Sequence, residues 1–490
     1  MSEIHFIDTT LRDGQQSLWA LGMKTGAMLP IAAQMDRIGF ESMEFFVSIM
    51  LKKYVREHKE NPWVWLREGS KRFRRTRLRN HGGMHGSGAM EKLPHAAMRL
   101  FVERVVSYGV TLTRTSNCWN DFEEMRDEVK ELRDVGMETV VNLIYSVSPR
   151  HTDDYYAKKA RQAASIRPYR ICFKDVGGLL TPERARTLIP AILQNAGDTP
   201  VEYHAHCNNG LAPLCYLEAV RLGINALHTA IPPLANGSSQ PSILNVARNL
   251  RALGYTPVVN DEEVKPVEEH FTTVAKREGL AIGKPFAYDE SQYLHQVPGG
   301  VISNLRHQLK LVGKEDRLQE TLEEAARVRA DFGYPIMVTP LSQFVVSQAA
   351  INVIVGERYK EVTDQVIQYA LGIWGREAPG LMELNVKDKI LGRGRAKDWK
   401  NWQPRDLSLK EVRAKFGGAS DEELLLRVYA GSDAVKALAN EGAPRPQLDG
   451  KQPLFRLLEE LSKMKDCNQI FIRKPGFALD LRKAAGATAE

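Results

Sequence analysis

Cysteine is scarce in this chain, and the cysteines it has are scattered. The 490 residues contain five of them, and no two stand in a CxxC pair. An odd number without that spacing argues against a disulfide framework and is typical of reduced thiols. We therefore expect a cytoplasmic protein. The five are Cys118, Cys172, Cys207, Cys215 and Cys467.

Long apolar runs are absent too. The sequence has no stretch of about 18 apolar residues, so we expect no membrane span. Its first residues, MSEIHFIDTT, lack the basic segment followed by an apolar one that marks a signal peptide. The composition is 43% hydrophobic and 26% charged, which at this length predicts a globular chain of more than one domain.

Acidic residues are outnumbered, but not by enough to indicate a nucleic-acid partner. The chain has 67 Lys and Arg against 60 Asp and Glu, a net charge of +7. The densest basic run, KRFRRTRLR at Lys71–Arg79, has little aromatic interleaving. A solvated face, or attraction of an anionic substrate, explains this run better than nucleic-acid binding.

What the chain has in abundance is alternating strand-like and helix-like segments over residues 1–260. Eight such strands, separated by amphipathic stretches and spread over about 250 residues, are typical of an α/β TIM (β/α)8 barrel, whose chemistry lies at the C-terminal ends of the strands. No glycine-rich phosphate loop follows the first run, which argues against a doubly wound sheet. The predicted strands are His5–Thr10, Ser42–Phe46, Thr76–Asn80, Leu112–Ser116, Thr139–Ser146, Arg170–Asp175, Val201–Cys207 and Ala226–Ile231.

The pattern changes after residue 260. Helical stretches such as Asp316–Ala330 dominate residues 261–400 and predict a mostly helical second domain. Residues 401–490 are more polar and predict a C-terminal helical extension, with a charged helix near Pro453–Lys465 and a frayed tail at Gly486–Glu490. The predicted organisation is a barrel domain at 1–260, a helical domain at 261–400 and the extension at 401–490.

The most specific chemical signal is the pair His204 and His206 in the seventh strand-like run, VEYHAHC. Alternate residues of a strand point the same way, so both imidazoles reach one side and could share a metal ion. The pair alone is equally consistent with two structural histidines. The Arg12–Asp13 pair after the first run favours a metal, because two imidazoles and a carboxylate suit Zn²⁺, Mn²⁺ or Co²⁺. Cys207 would face the other way and is interpreted as a packed thiol.

Lys174 closes the sixth run, RICFKD, and has two interpretations. Its ammonium could lie in water at a strand end. The strand is otherwise apolar, however, so the lysine would reach into the mouth of the barrel. An ammonium beside a divalent cation is disfavoured, so Lys174 should lose its proton or carry a modification that makes it anionic.

Several longer motifs resemble one family of enzymes. They are similar to the carboxyltransferase domain of pyruvate carboxylase, the oxaloacetate decarboxylase α subunit and the metal-bearing subunit of transcarboxylase, within the metal-dependent barrel lyases. The resemblance is collinear from about residue 4 to about residue 380. It rests on Asp8–Ser17 (DTTLRDGQQS), Tyr145–Thr152 (YSVSPRHT), Cys172–Leu180 (CFKDVGGLL), His204–His206, Ser238–Ser242 (SSQPS), Gln296–Leu305 (QVPGGVISNL) and Val338–Gln343 (VTPLSQ).

The resemblance implies a role for each matching residue. It implies that an oxo-acid is bound by Arg12 and Gln16, and that its enolate oxygen is stabilised by Arg79. It implies that a hydroxyl, supplied here by Ser238 where the family has threonine, contacts biotin and moves a proton between biotin and the enolate. The implied metal ligands are Asp13, a carboxylated Lys174, His204 and His206.

Some residues at the mouth depart from the family pattern. The family's Trp-Gly-Gly-Ala run on the second strand is Phe45–Ser48 here, and Leu-Arg-Gly-x-Asn on the third is Leu78–Gly82. On the fourth strand, Phe-Asp is replaced by Ser116–Asn117. These changes leave the identity of the carboxyl acceptor open.

The leading hypothesis is a metal-dependent carboxyltransferase subunit that moves CO₂ between carboxybiotin and an enolisable 2-oxo-acid such as pyruvate or oxaloacetate. The sequence has no Ala-Met-Lys-Met run and no visible ATP-grasp loop, so we expect carboxybiotin to be supplied in trans by biotin carrier and biotin carboxylase subunits. The alternatives are a biotin-independent metal-dependent lyase, decarboxylase or aldolase, and a non-catalytic scaffold. The resemblance also implies a homo-oligomer, with a dimer expected.

Overall fold

A closed barrel of eight parallel strands forms the first half of the chain in this computed structural model. The structure describes residues 2–84, 93–402, 406–438, 457–458, 461, 464, 468–474 and 476–482. Neighbouring strands pair in chain order, and the first strand pairs with both the second and the eighth, which closes the barrel. The predicted TIM barrel is confirmed. Its strands are β1 Glu3–Asp8, β2 Ser42–Val47, β3 Arg77–His81, β4 Leu112–Thr115, β5 Glu138–Ile144, β6 Arg170–Asp175, β7 Val201–Ala205 and β8 Ala226–Thr229.

The strand ends differ from the predicted ones by a few residues. β1 ends at Asp8 rather than Thr10, because the next residues turn into the helical segment Thr10–Gly14. The Asp8 carboxylate accepts hydrogen bonds from the backbone N–H of Thr10 (3.2 Å) and from its hydroxyl (2.5 Å), which fixes this turn. A short ninth strand, Thr256–Pro257, pairs with the start of β1 on the outside of the barrel closure.

Helices surround the barrel, and some of them begin at side-chain caps. The hydroxyls of Thr152 and Thr181 accept hydrogen bonds from backbone N–H groups three residues further on. Gly109 and Gly136 follow helices with φ of +85°, a region that favours glycine. The helical segments of the barrel half are Thr10–Gly14, Gln15–Trp19, Thr25–Met28, Ala32–Met35, Ile49–Lys53, Tyr54–His58, Pro62–Val64, Trp65–Gly69, His95–Ser107, Phe122–Asp134, Asp153–Ser165, Pro182–Asn195, Ala212–Arg221, Ile243–Ala252 and Asp261–Glu278.

The inside of the barrel is polar along much of its length. TIM barrels are usually filled by branched apolar side chains. Here polar side chains from seven strands are fully buried, so the interior must be held by hydrogen bonds and ion pairs rather than by apolar packing alone. They are Glu44, Arg79, Arg114, Asn142, Cys172, Glu202, His204 and His228.

A helical region follows and packs on the loops after β4 and β5. It has a separate apolar core that includes Val328, Phe332 and Phe344. Arg329 donates to the hydroxyl of Ser146 (2.9 Å), in the loop after β5. The region therefore borders the C-terminal end of the barrel. Its helices are Gln292–His295, Gly299–Leu311, Glu315–Arg317, Leu318–Asp331, Leu341–Val355, Asp364–Ala370, Ala378–Leu381, Leu384–Leu391 and Gly394–Lys400.

The chain then returns to the outside of the barrel. The helices Leu409–Phe416, Asp421–Ala430 and Ser432–Leu438 share the apolar core of the barrel. Two antiparallel strands, Gln469–Lys474 and Phe477–Arg482, follow, which the sequence did not predict. Cys467, most of the predicted helix near Pro453–Lys465 and the tail at Gly486–Glu490 lie outside the described residues.

The predicted cytoplasmic location and the predicted dimer both stay predictions, while the expectations about membrane helices and thiols can be compared with the structure. Within the residues that the structure describes, no helix is long and apolar enough to cross a bilayer. The four cysteines in that part of the chain, Cys118, Cys172, Cys207 and Cys215, are free thiols, as expected.

Candidate active site

Three predicted metal ligands converge at the C-terminal end of the barrel. Nε2 of His204 lies 3.3 Å from Oδ2 of Asp13, and Nε2 of His206 lies 3.7 Å from the same oxygen. The two imidazole rings are 5.1 Å apart between centroids. His204 is on β7 and His206 just after it, while Asp13 lies in the turn after β1. The strand period therefore brings both imidazoles to the same carboxylate.

Backbone and side-chain contacts orient His206. Nδ1 of His206 lies 2.7 Å from the carbonyl oxygen of Ser238. A carbonyl can only accept, so Nδ1 carries the proton and Nε2 keeps a lone pair. The amide nitrogen of Gln240 lies 3.2 Å from that Nε2, and its Oε1 accepts from the hydroxyl of Thr9 (2.7 Å). The Gln240 amide would therefore lie next to any metal ion bound by His206.

The Asp13 carboxylate is held ionised by its surroundings. Burial would raise its pKa, but Arg12 and the two histidines outweigh burial and keep the pKa well below the usual range. Nη2 of Arg12 donates to Oδ2 of Asp13 at 3.1 Å. Burial lowers the pKa of both His204 and His206, so near neutral pH they are unprotonated bases that can ligate a metal.

Lys174 lies on β6, where it pairs in register with His204. Burial is the main effect that lowers the pKa of Lys174 to about 8, and the Arg114 guanidinium adds to it, while Asp13 opposes it. About a tenth of the amine is therefore neutral at pH 7, far more than for an ordinary lysine, and this is the form that reacts with CO₂ to give a carbamate. Carboxylation of Lys174 stays a prediction.

The predicted substrate-binding residues occupy different surroundings. Arg12 is buried, and its Nε and Nη2 atoms bond to Glu44 at 2.8 and 2.5 Å. Gln16 is exposed at the start of its helix, whereas Gln15 is buried and bonds to the backbone. The hydroxyl of Ser238 donates to the carbonyl of Ser17 (3.0 Å), beside the metal-ligand group.

Arg79 lies deeper than the other predicted residues. Its Nη1 and Nη2 atoms bond to the two oxygens of Glu202 at 2.7 and 2.9 Å, and its Nε donates to Ser42 at 2.6 Å. Glu202 precedes His204 by two residues on β7, one layer closer to the bottom of the barrel. The role of Arg79 toward an enolate stays a prediction.

The sequence predictions assigned no role to four buried residues, which are Glu44, Arg114, Glu202 and His228. Glu44 accepts from both Arg12 and Arg114, and so joins the first, second and fourth strands. Glu202 and His228 contact each other beneath the histidine pair, 2.8 Å apart. The period of two that paired the histidines also places Glu202 on their face, so that signal was available. His228 gave only a weak signal, because it stands beside Thr229 in a short run that is otherwise apolar.

The site fits a divalent metal. Donor atoms of Asp13, His204 and His206 all lie within 4.8 Å of one another and are buried. Metal–donor bonds of about 2.1 Å bring tetrahedral ligand atoms within roughly 3.4 Å of one another, close to the separations found. A carboxylate oxygen facing two imidazole lone pairs is an arrangement that a cation stabilises. Cys207 is buried and burial raises its pKa, which agrees with a packed thiol.

Fold and site together define a TIM-barrel enzyme with candidate metal ligands at the C-terminal end of its barrel. Residues 102–270 match the family model described as HMGL-like, and residues 293–462 match the one described as conserved carboxylase domain. The carboxyl transferase domain of Rhizobium etli pyruvate carboxylase has the same fold, with a TM-score of 0.80 at 22% identity over 99% of this chain and 84% of that one.

Two relatives are similar over most of the chain. A pyruvate carboxylase subunit of Methanocaldococcus jannaschii is 33% identical over 464 residues, which cover 93% of this chain and 81% of that protein. The 2-oxoglutarate carboxylase large subunit of Hydrogenobacter thermophilus is 32% identical over 86% of this chain and 66% of that protein. The chain belongs to the biotin-dependent carboxylase family that includes these two proteins. The predicted family is confirmed.

Proposed function

We propose that this chain is a carboxyltransferase subunit that moves a carboxyl group between carboxybiotin and an enolisable 2-oxo-acid. The observation that carries the proposal is the convergence of His204 and His206 on the Asp13 carboxylate, with Lys174 on the adjacent strand. A divalent metal such as Zn²⁺, Mn²⁺ or Co²⁺ held there would supply a Lewis acid for the carbonyl oxygen of the oxo-acid.

The residues around Asp13, His204 and His206 suit an anionic substrate. Arg12 and Arg114 flank the Glu44 carboxylate, and each also lies within 3.5 Å of Asp13. Arg12 donates to these two carboxylates through Nε and Nη2, which leaves Nη1 to bind the carboxylate of an oxo-acid. We assign Gln16 to the outer rim of the substrate site, because it is exposed and follows Arg12 and Asp13 closely in the chain.

Ser238 is the residue we propose to move the proton. Its hydroxyl lies in the loop that also orients His206, so a group that reaches the metal ligands passes beside it. In the reverse direction, the bond between the carboxyl group and the β-carbon breaks, its electron pair forms the enolate, and the carboxyl group bonds to a ring nitrogen of biotin as that nitrogen gives up its proton. The enolate then accepts one proton at that carbon. A hydroxyl beside both partners can carry this proton.

Biotin is proposed to arrive on another chain. Both relatives are named as subunits, one of them as a large subunit, which supports an enzyme of several chains. We therefore propose biotin carrier and biotin carboxylase subunits as partners. Pyruvate and 2-oxoglutarate are the acceptors to test first, since they appear in the names of these relatives.

The proposal is tested by running the transfer backward. Purified chain is incubated with oxaloacetate or oxalosuccinate, the carboxylated forms of the two acceptors, with and without free biotin, and release of the oxo-acid is measured. We expect release to rise at least about tenfold with biotin and to stop in Asp13→Asn. Cys207→Ser is the matched control, because Cys207 is buried next to His206 but faces away from the ligand group.

The alternative functions give different results in the same assay. Release that is equally fast without biotin, and insensitive to avidin, would identify a biotin-independent decarboxylase or lyase. A chain that binds no metal and releases nothing from either acid would be a scaffold. Either result contradicts the proposal.

A further inference from the structure

The two histidines of the site are oriented by different kinds of partner. Nδ1 of His206 faces a backbone carbonyl, which fixes its proton without ambiguity. Nδ1 of His204 faces another imidazole nitrogen, Nδ1 of His228, at 3.1 Å. Either nitrogen of that second pair could carry the shared proton. The choice matters, because it decides whether Nε2 of His204 has a lone pair for a metal.

A third residue settles the direction of that hydrogen bond. Nε2 of His228 lies 2.8 Å from Oε1 of Glu202. Both oxygens of Glu202 also accept from the two terminal nitrogens of Arg79, so Glu202 is an ionised acceptor. His228 must therefore donate through Nε2. A neutral His228 then has a lone pair at Nδ1, and it can only accept the proton of His204 Nδ1. Oδ2 of Asp13 competes for this proton at the other nitrogen of the ring, but from 3.3 Å rather than 3.1 Å, and the amide nitrogen of Gln240, 3.5 Å from Nε2, favours a lone pair there.

We propose that Arg79, Glu202 and His228 form a buried relay that holds His204 in the tautomer with a free Nε2 and thereby raises the affinity of the site for a metal ion. His228 and Glu202 are positioning residues in this proposal, because they act on the metal site only through His204. Imidazole ligands commonly need such a partner to fix their ring and proton.

The opposite tautomer of His228, with its proton on Nδ1, is excluded by the contacts around Glu202. If His228 donated through Nδ1, its Nε2 would present a lone pair to a carboxylate oxygen 2.8 Å away. Two acceptors at that distance, in a site with 0% exposure of both side chains, repel each other without water to intervene. The charge of Arg79 thus fixes Glu202 as an ionised acceptor. Glu202 then fixes the proton of His228, and His228 fixes the proton of His204.

The relay group is unsuited to a second metal ion, although Cys172, Glu202 and His228 have donor atoms within 4.8 Å of one another. The carboxylate already spans the Arg79 guanidinium with both oxygens. Cys172 lies 3.9 Å from Nη1 of Arg114, a second fixed cation. Two guanidinium groups at a site that small disfavour a further cation.

The test measures metal affinity and histidine tautomers, because the inference rests on the proposed metal site. Apo protein is titrated with Co²⁺, followed by visible absorption, and with Zn²⁺ in competition. His228→Leu should lower affinity by about 10–100-fold. His228→Asn, whose Oδ1 replaces the accepting Nδ1, should recover most of this loss. His270→Leu is the matched control, because His270 is equally buried but bonds to the carbonyl of Ala27 away from the site.

The tautomer is read directly from ¹⁵N-histidine side-chain spectra of the apo protein. We expect His204 to carry its proton on Nδ1 in the wild type and to lose this preference in His228→Leu. A wild-type His204 protonated at Nε2 would overturn the proposal, whether or not any metal binds. So would a His228→Leu variant with metal affinity equal to that of His270→Leu. Carboxyl transfer enters neither measurement, so failure of the proposed function would be seen separately.

Discussion

Among the residues that the structure describes, two groups of three potential metal ligands lie in the barrel, one a layer above the other, and they differ in what their donor atoms face. In the upper group, two imidazole nitrogens face one carboxylate oxygen. In the lower group, the carboxylate binds a guanidinium with both oxygens and an imidazole with one. The upper group is Asp13, His204 and His206, and the lower group is Cys172, Glu202 and His228.

The difference shows that suitable residue types and short distances between donor atoms are not sufficient for a metal site. Both groups are buried and both contain a carboxylate and an imidazole. Only the upper group leaves lone pairs directed at one point, whereas the lower one has already used its donors inside the protein. We therefore expect changes in the upper group to act on metal binding and function, and changes in the lower group to act on stability and, through His228, on metal affinity.

The largest effect is expected from His206→Ala. It removes one ligand of the upper group but no charged partner, so metal affinity should fall by more than about 100-fold, beyond the loss caused by removing an outer partner. The free energy of unfolding of the apo protein should change by only about 1 kcal/mol. Metal content by mass spectrometry and urea denaturation of the same samples measure both quantities.

The contrast between the two groups would be wrong if His206→Ala lowered both the stability of the apo protein and its metal affinity. An apo His206→Ala protein destabilised by several kcal/mol would show that the upper group is structural. Cys207→Ala serves as the control, since the neighbouring side chain is buried to a similar degree but lies outside the ligand group.

The next largest effect is expected from Arg79→Met. It leaves the Glu202 carboxylate buried without its cation, which should destabilise the fold by about 3–5 kcal/mol. Arg186→Met is a matched control, because Arg186 pairs with Glu218 at 2.8 Å but is 58% exposed, and its loss should cost less than about 1 kcal/mol. Equal effects of the two substitutions in urea denaturation would contradict the assigned difference between the layers.

The sequence predicted the fold and the upper group because both follow from local rules. Eight strand-like runs were recognisable, and each ends within a few residues of the observed strand. Polar residues at the C-terminal ends of parallel strands meet at one end of a barrel, whatever lies between them. Asp13, Lys174, His204 and His206 could therefore be grouped without knowing any side-chain contact.

The lower group follows from no local rule. Arg79 and Glu202 are 123 residues apart, on strands separated by half the circumference of the barrel. Their pairing depends on how far each side chain reaches across the interior, which sequence spacing does not encode. The strand pair Gln469–Lys474 and Phe477–Arg482 was missed for a different reason. Exposed and half-buried residues alternate along its first strand, but the exposed Phe471 lies between Ile470 and Ile472, so the sequence shows no alternation of apolar and polar residues.

A buried histidine outside both groups, His151, sharpens the comparison because cations rather than carboxylates surround it. Burial, with Arg329, Arg150 and Lys159 nearby, lowers the pKa of His151 to about 3. The unfolded chain takes up this proton at about pH 6.5, so the contribution of His151 to stability is complete above that pH. Between about pH 6.5 and 3 only the unfolded state is protonated, and stability falls by about 1.4 kcal/mol per pH unit.

Substitution of this histidine should flatten the acid limb of the stability curve. In His151→Asn, the difference in unfolding free energy from the wild type should shift in favour of the variant by about 2 kcal/mol between pH 7.5 and pH 5. Urea denaturation at both values measures it. Parallel curves for the two proteins would show that the ring is protonated, or solvated, in the folded state.

The smallest effect is expected from Cys172→Ala, and it decides whether the lower group is ever a metal site. Burial is the main effect that raises the pKa of Cys172 to about 12, so at neutral pH it is a thiol and a poor ligand. The substitution should leave metal stoichiometry unchanged and affinity within about twofold, with a loss of stability of about 1 kcal/mol. Equilibrium dialysis against Zn²⁺ measures the stoichiometry, with Asp13→Asn as the variant that should lose the ion.

A drop of one bound ion per chain in Cys172→Ala would mean that the lower group releases Arg79 and binds a metal. The guanidinium would then have to leave a carboxylate that it contacts at 2.7 and 2.9 Å inside the barrel. An unpaired buried guanidinium costs several kcal/mol, which a single thiolate ligand does not offset at neutral pH. Unchanged stoichiometry would therefore place the metal in the upper group alone and leave the lower group to orient it.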